Sequence, residues 1–586
     1  MESSSKEVIV GIDFGSSGSG FAYSFMNENN IVHGEILGAD TDKKVLTEII
    51  LNDRLEILEF GSRCKTFLKE KGLDQGDYFK DIKMHLYKET PCIKASNTGK
   101  TLPITIVIEK VLLKLKELCL DQMRKSWKNV EDLKIRWVVT VPAIWKEMEK
   151  CIMMEASIKA GLIKENDDKS MFFALEPEAV SLYCSRNDNI NADLIKEGET
   201  YVICDLGGGT GDIVTHKVGG NKKLEEILPS CGGAYGSNEI NRKIFSEIIK
   251  KIFGFDNFNS LRESYKYLSV DEKDERALFN DWCALEENIK EYKEGITINK
   301  VKNKEKYPIC CSVFQEFFES NELSKLIDKY NSSVRNVDCR LTVQSKKKWI
   351  IEFPYQIINN YIEDQSKLIS KEIRSILSDT KIKLNEKIRT VIFAGGYCSN
   401  EVLISSIKNN LRNDIQNFLQ PSHPSLAIME GAVLFGLNPN LINIRIAKYT
   451  IGMETRSVWD EKLHSGKGKK VYDDIENKWR CENCFSKFIE VGQKLKPNQD
   501  IKPQSFTMLS PRIATLKFYK TLDPNPVFTF DNGVVKMGHF DLDAGKDYPV
   551  GERGFKVYMK FGGTFVDIKA VHDKSGNYIK AKFKFN

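Results

Sequence analysis

The stretch YVICDLGGGTGDIVTH, residues 201–216, decides how the chain is read. Tyr201 to Cys204 is short, apolar and partly β-branched, which predicts a buried strand, and Ile213 to Val218 predicts the next one. The connection carries Asp205, Gly207, Gly208, Gly209, Thr210 and Asp212. Two readings are open at this point. One is a β-hairpin with a glycine turn. The other is a phosphate-binding hairpin, because glycines let backbone N–H groups approach phosphate oxygens and a carboxylate at a strand end can hold hydrated Mg²⁺.

The layout recurs. A strand from Val8 to Ile12 runs into GIDFGSSGSG, residues 11–20, with Asp13 at its end and a strand from Phe21 to Phe25 beyond the loop. Two strand–Asp–glycine-loop–strand units, about 190 residues apart, are hard to attribute to two unrelated hairpins. Neither is a Walker A loop, because no Gly-Lys-Ser/Thr follows. Neither is a dinucleotide fingerprint, because each loop returns into a strand and not a helix. A third element, TVIFAGGYCSNEVL at 390–403, is a strand ending in Gly395-Gly396 with a helix expected from about Ser399. A nucleotide's sugar and base can rest on such a helix start.

The bulk properties set the frame. At 586 residues the chain is too long for one core, and at least three structural units are expected. Lys plus Arg number 87 and Asp plus Glu 82, so the net charge of +5 is no nucleic-acid footprint. The basic runs at Lys346–Lys348 and Lys467–Lys470 read as solvated loops. The opening MESSSKEVIV has no apolar signal core, and no stretch approaches the length of a membrane span, so a cytoplasmic protein is expected. Fourteen scattered cysteines fit reduced thiols. Cys481 and Cys484 have CxxC spacing, but no second pair or HxxxH completes a zinc site nearby, which favours two ordinary thiols.

Up to about residue 440, β-runs alternate with amphipathic helices, the pattern of an α/β protein. Helices are expected at Ile106–Lys125, Lys146–Ala160 with Gly161 as C-cap, and Ile357–Leu377. Further strands are expected at Arg136–Val141 and Thr390–Ala394. After Asn438-Pro439-Asn440 the texture changes to short strands and turns such as Asp531-Asn532-Gly533, the mark of a separate β-rich unit.

Together the three glycine elements resemble the two phosphate motifs and the adenosine motif of the actin, sugar kinase and heat-shock ATPase superfamily. WVVTVPAIWKEMEK (137–150) resembles the heat shock 70 family's switch-proline segment, with Pro142 and Lys150. FFALEPEAVSLY (172–183) resembles its glutamate-proline segment, and PSLAIMEGAVLFG (424–436) its closing helix. YFKDIKMHLY (78–87), WRCENCFSKF (479–488) and KFGGTFVDIKAVHDKSG (560–576) resemble the atypical 12A/12B-like branch of that family.

The resemblance implies a two-lobed actin-like ATPase fold, of duplicated ribonuclease-H-like domains, followed by a β-rich C-terminal domain. Lobe I would span 6–195 with an insertion at about 36–105, and lobe II 196–440 with an insertion at about 232–355. Residues 441–586 would form the β-rich substrate-binding-like domain, without the family's helical lid. The implied cofactors are ATP or ADP with Mg²⁺. Gly15, Ser16, Ser17 and Gly18 would wrap the phosphates from one side, and Gly207, Gly208, Gly209 and Thr210 from the other. Asp13 and Asp205 would hold Mg²⁺ through water. Lys83 matches the lysine that places the attacking water, whereas by itself it would pass for a surface lysine. Glu176 and Asp212 would orient water or the ion's hydration shell. Gly236, Glu287, Lys290, Gly395, Gly396 and Tyr397 would surround the nucleoside.

Departures accompany the match. Glu291 and Ser399 stand where the family places basic side chains, so the cation–π stack on adenine is weakened. The join at 438–455 lacks the family's acidic, leucine-rich linker. The expected function is an ATP-binding chaperone-like protein that hydrolyses ATP and couples nucleotide state to a client protein or peptide, with co-chaperones as further partners. The alternative is a nucleotide-binding adaptor with negligible turnover. Neither nucleic acid nor a membrane span is expected.

Overall fold

The computed structural model describes residues 7–582, apart from 27, 29, 36–42, 88–90, 128, 164–170, 186–195, 267–271, 385, 474–476, 498 and 562–565. The boundary expected at 195, the start of the first insertion at 36 and part of the 560–576 motif lie outside the described residues.

Strands of β-branched and aromatic residues build two larger sheets. In the first, Glu7–Asp13 is central. It pairs antiparallel with Gly18–Phe25 and parallel with Lys134–Val141, which pairs parallel with Met171–Leu175. In the second, Thr200–Leu206 pairs antiparallel with Gly211–Val218 and parallel with Thr390–Ala394, which pairs parallel with Asn417–Leu419. Each sheet therefore has a hairpin with two parallel strands added beside its first strand. The hairpin of the second sheet continues through Leu224–Gly233 to Ile442–Ile446 and Lys494–Leu495. The central strands are buried on both faces, which is why they read as unbroken apolar runs.

The helix Ala427–Leu437 packs against both Glu176–Cys184 and the first sheet through small residues. A Cβ at Gly431 would lie 1.9 Å from the Ala179 carbonyl oxygen, and one at Gly436 would lie 2.3 Å from an Ile9 methyl. The longer helices run Ile104–Ser126, Glu147–Lys159, Glu272–Glu294 and Tyr355–Leu384. The last is longer at both ends than its periodicity predicts, because tertiary packing extends a helix past its strongest apolar stripe. The helix expected near Ser399 begins instead at Glu401. Gly396–Ser399 is a 3₁₀ turn, and the Asn400 side chain accepts the Leu403 amide at 3.0 Å as the N-cap.

Beyond Ile446 the described chain is built almost wholly of strands. One sheet runs in the order 470–473, 478–489, 450–458, 513–521, 535–543, and another 499–507, 554–561, 567–572, 578–582. They share a core that includes Met453, Phe518, Leu516, Val557 and Ile568. Glu461–His464 is the one α-helix among the described residues of this region. None of the fourteen cysteines is in a disulfide. No described helix is long and apolar enough to cross a membrane.

Candidate functional site

The two hairpin loops meet. Asp13 closes the first strand and Asp205 sits one residue before the end of its counterpart, each at the carboxyl end of a central strand. In the first loop, Thr47 Oγ1 donates to the Gly15 carbonyl at 2.8 Å and shares a 2.8 Å hydrogen bond with Ser19 Oγ. In the second, the Gly207 amide donates to the Thr210 carbonyl at 2.9 Å, while the Ser237 and Asn238 amides donate to the Gly207 and Gly208 carbonyls. Asn238 Nδ2 then donates to Ser17 Oγ at 3.2 Å and latches one loop to the other. The fit leaves no room for a side chain at Gly208, Gly209 or Gly236. A Cβ at Gly208 would lie 2.0 Å from Ser17 Oγ, one at Gly209 2.1 Å from Met84 Sδ, and one at Gly236 2.3 Å from the Gly208 carbonyl oxygen.

Beneath the loops lie four buried carboxylates, Asp13, Glu176, Asp205 and Asp212, with Lys83 equally buried. Lys83 Nζ donates to Glu176 Oε1 at 2.6 Å and stands 5.6 Å from the centre of the Trp145 ring. The Ile144 amide donates to Asp212 Oδ1 at 2.8 Å. Both carboxylate oxygens of Asp205 are buried without a hydrogen-bond partner. In a protein interior such a group is costly.

The crowding shifts protonation. Burial pushes the Glu176 carboxyl up to about 7 against the pull of Lys83, and the charges of Asp13 and Asp212 push the same way. Burial likewise raises Asp212 to about 6, despite the Ile144 amide and the charges of Lys448 and Lys83. Asp205 is raised well above the usual carboxylate range, by burial first and then by Glu176, Asp212 and Asp13. Like charges at close quarters cannot all ionise without a cation.

A second lysine, which the sequence did not single out, provides part of that charge. Lys44 Nζ lies 2.6 Å from Asp13 Oδ2. Burial pulls its ammonium down, but Asp13, Asp205 and Glu176 more than offset that, so the net shift is upward. Lys44 reaches the cluster because the two-residue strand Val45–Leu46 pairs with Ser19 and Gly18. In sequence it belongs to a Lys43-Lys44 pair that reads as surface charge, and no local signal distinguishes it. Tyr87 was also not singled out: its hydroxyl accepts the Trp145 Nε1–H at 2.8 Å, close to Thr210, Asp212 and Glu176.

The third glycine element backs directly on the second. Gly395 has φ +83°, and a Cβ there would lie 2.5 Å from Asp205 Oδ1. Gly396 is exposed with open space beside it. The Tyr397 ring turns inward, and its hydroxyl donates to Gln365 Oε1 at 2.8 Å. Glu287 and Lys290 pair with each other at 3.2 Å on the exposed face of Glu272–Glu294. Glu291 accepts the Tyr307 hydroxyl at 2.6 Å.

No protein-family model matches the chain. Curated relatives do. It is 25% identical to heat shock 70 kDa protein 12A of Mus musculus over 651 aligned positions, covering 99% of this chain and 91% of the relative. The human 12A protein matches at 25% with the same coverage, and human heat shock 70 kDa protein 12B at 24%, covering all of this chain and 92% of the relative. Over nearly its full length the chain is thus similar to the heat shock 70 kDa proteins 12A and 12B.

Proposed function

We propose that this protein binds ATP or ADP with Mg²⁺ between the two glycine loops, and that it hydrolyses ATP slowly. The observation that carries the reading is Asp205, a buried carboxylate with two unpartnered oxygens, enclosed by three further carboxylates and facing glycine loops that exclude side chains. The residues fit the ion. Asp13 and Asp205 supply oxygen ligands for a hydrated Mg²⁺, and the cluster has more negative charge than Lys44 and Lys83 balance. When bound, Mg²⁺ supplies positive charge against the phosphate oxygens.

On this reading the two matching sheets are the two lobes of the ATPase unit, with boundaries near those given above. Backbone N–H groups of 16–18 and 208–210 cradle phosphate oxygens, with Ser16, Ser17 and Thr210 hydroxyls as further donors. Lys83 places the water for in-line attack and offsets charge on the terminal phosphate. Glu176, held by Lys83 and raised to about 7, is poised to take a proton near neutral pH. Positioning and charge stabilisation are the main demands of phosphoryl transfer. Residues 441–586 would then hold a client protein or peptide.

Single-turnover hydrolysis of Mg·ATP separates this from the adaptor reading. The expected result is turnover by the wild type, and binding without turnover by Lys83→Ala. If the wild type binds nucleotide but hydrolyses it no faster than Lys83→Ala, the chain is a nucleotide-binding adaptor. Pairing of Glu291 with Tyr307, and Ser399 in place of a basic side chain, favour weak grip on the base, which is the adaptor's strongest support.

A further inference from the structure

We propose that His464, Cys481 and Cys484 form a zinc site that ties the strand Lys478–Ile489 to the short helix Glu461–His464. The donor atoms of the three residues all lie within 4.8 Å of one another, and all three side chains are buried. His464 precedes the cysteine pair by 17 residues with no HxxxH spacing, so the sequence alone left the pair without a partner. This inference does not rest on the nucleotide reading.

Backbone geometry assembles the donors. Along a regular strand, residues three apart point to opposite faces. Here Asn483 takes φ +57°, and the ladder slips so that Cys484 and Cys481 oppose Thr455 and Ser457. That bulge turns both sulfurs to one side. The loop before the hairpin is folded over the same spot. Asp460 Oδ1 accepts the Lys462 and Leu463 amides as an N-cap, and the Gly468 amide donates to the His464 carbonyl at 2.8 Å. A Cβ at Gly468 would lie 2.5 Å from Cys481 Sγ, so the loop can close over the sulfur only with glycine there.

His464 Nε2 faces Cys484 Sγ at 3.8 Å, while Nδ1 accepts the Asp460 amide at 2.9 Å. Taking zinc at Nε2 moves the ring proton to Nδ1 and gives up that amide contact, and the two thiol protons leave to solvent. Two thiolates and one imidazole are a soft set that suits Zn²⁺, with the fourth tetrahedral position left for water or another small ligand. Apolar burial alone holds this corner weakly. Cys481, Cys484 and Phe528, with Trp459 and Val527 against them, form a small cluster separate from the main core of the region. A metal tie makes up for a core of that size.

The test is metal analysis of the full chain, purified without chelators under reducing conditions. About one zinc per chain is expected. Cys481→Ser and Cys484→Ser should each lower occupancy at least tenfold in competition with a chromophoric chelator, and His464→Gln should weaken it similarly. Replacing the exposed Cys92 with serine should leave it unchanged. Cobalt in place of zinc should give the visible bands of a tetrahedral thiolate site. Should the serine variants fail to fold, chelation of the wild type gives an independent reading. Amide exchange across 459–484 should then rise at least tenfold, with 7–25 unaffected. A chain that carries no zinc, takes none up from added Zn²⁺ with its thiols reduced, or is isolated with Cys481 and Cys484 joined as a disulfide overturns the proposal.

Discussion

Asp205 is buried with neither oxygen satisfied, and the ligand-free chain bears that cost. Asp205→Asn replaces a carboxylate that would hold Mg²⁺ through water with a neutral amide. It should therefore weaken Mg·nucleotide binding at least tenfold. Protonation gives a second test. Glu176 and Asp212 stand at about 7 and about 6, above their ordinary values of 4.5 and 3.8. Between those limits the folded cluster holds protons that the unfolded chain releases. Stability of the ligand-free chain should thus fall as pH rises from about 5 to 7.5, by up to about 1.4 kcal/mol per pH unit for each full proton. Denaturation midpoints across that range would show it, and Glu176→Gln should flatten the slope. Asp13 and Asp205 could be picked out in the sequence because each ends an apolar run and opens a glycine loop. Lys44, Tyr87 and His464 could not. Their places depend on pairings with distant segments, such as Val45–Leu46 beside Gly18–Ser19, that no local pattern encodes.

At the scale of elements, neighbouring glycines make opposite predictions. Gly395 has a positive φ, and a Cβ there would collide with the Leu206 carbonyl at 2.3 Å, whereas Gly396 meets nothing within 4 Å. Gly395→Ala should cost about 2 kcal/mol or more, and Gly396→Ala about 0.5 kcal/mol or less, by thermal denaturation. A loss of nucleotide affinity in Gly396→Ala would then report ligand contact and not misfolding. Gly236→Ala sets a Cβ against the Gly208 backbone, which cannot give as a flexible side chain can. It should part the loops and lower nucleotide affinity about tenfold. The strands here were legible in place, their observed ends lying up to three residues beyond the expected ones, because burial on both faces leaves an unbroken apolar run. The start of the helix after Gly396 was not, since a 3₁₀ turn and the Asn400 cap intervene.

At the scale of the whole molecule, the strand Ile442–Ile446 carries the chain from the second sheet into the β-rich region. Arg445 on it makes a two-pronged pair with Glu178, its Nε and Nη2 donating at 2.8 and 2.7 Å, both groups buried. Glu178 is two residues from Glu176, and Lys448 donates to the Ala143 carbonyl beside the amide that binds Asp212. Breaking the pair leaves a buried charge alone, so Arg445→Ala should cost about 3–5 kcal/mol, with part recovered in the double variant with Glu178→Ala. Equilibrium denaturation of the four proteins would show the coupling. The sequence displayed the change of texture near residue 440 but not this pair, because an arginine in INIRIAK gives no sign of a partner 267 residues away.

The most direct test is calorimetric titration of the purified chain with Mg·ADP, with and without magnesium, beside Asp205→Asn and Gly236→Ala. The account predicts one site that needs magnesium and is weakened at least tenfold in both variants. A wild type that binds no Mg·ADP, or binds it as tightly once Asp205 is replaced, would contradict it.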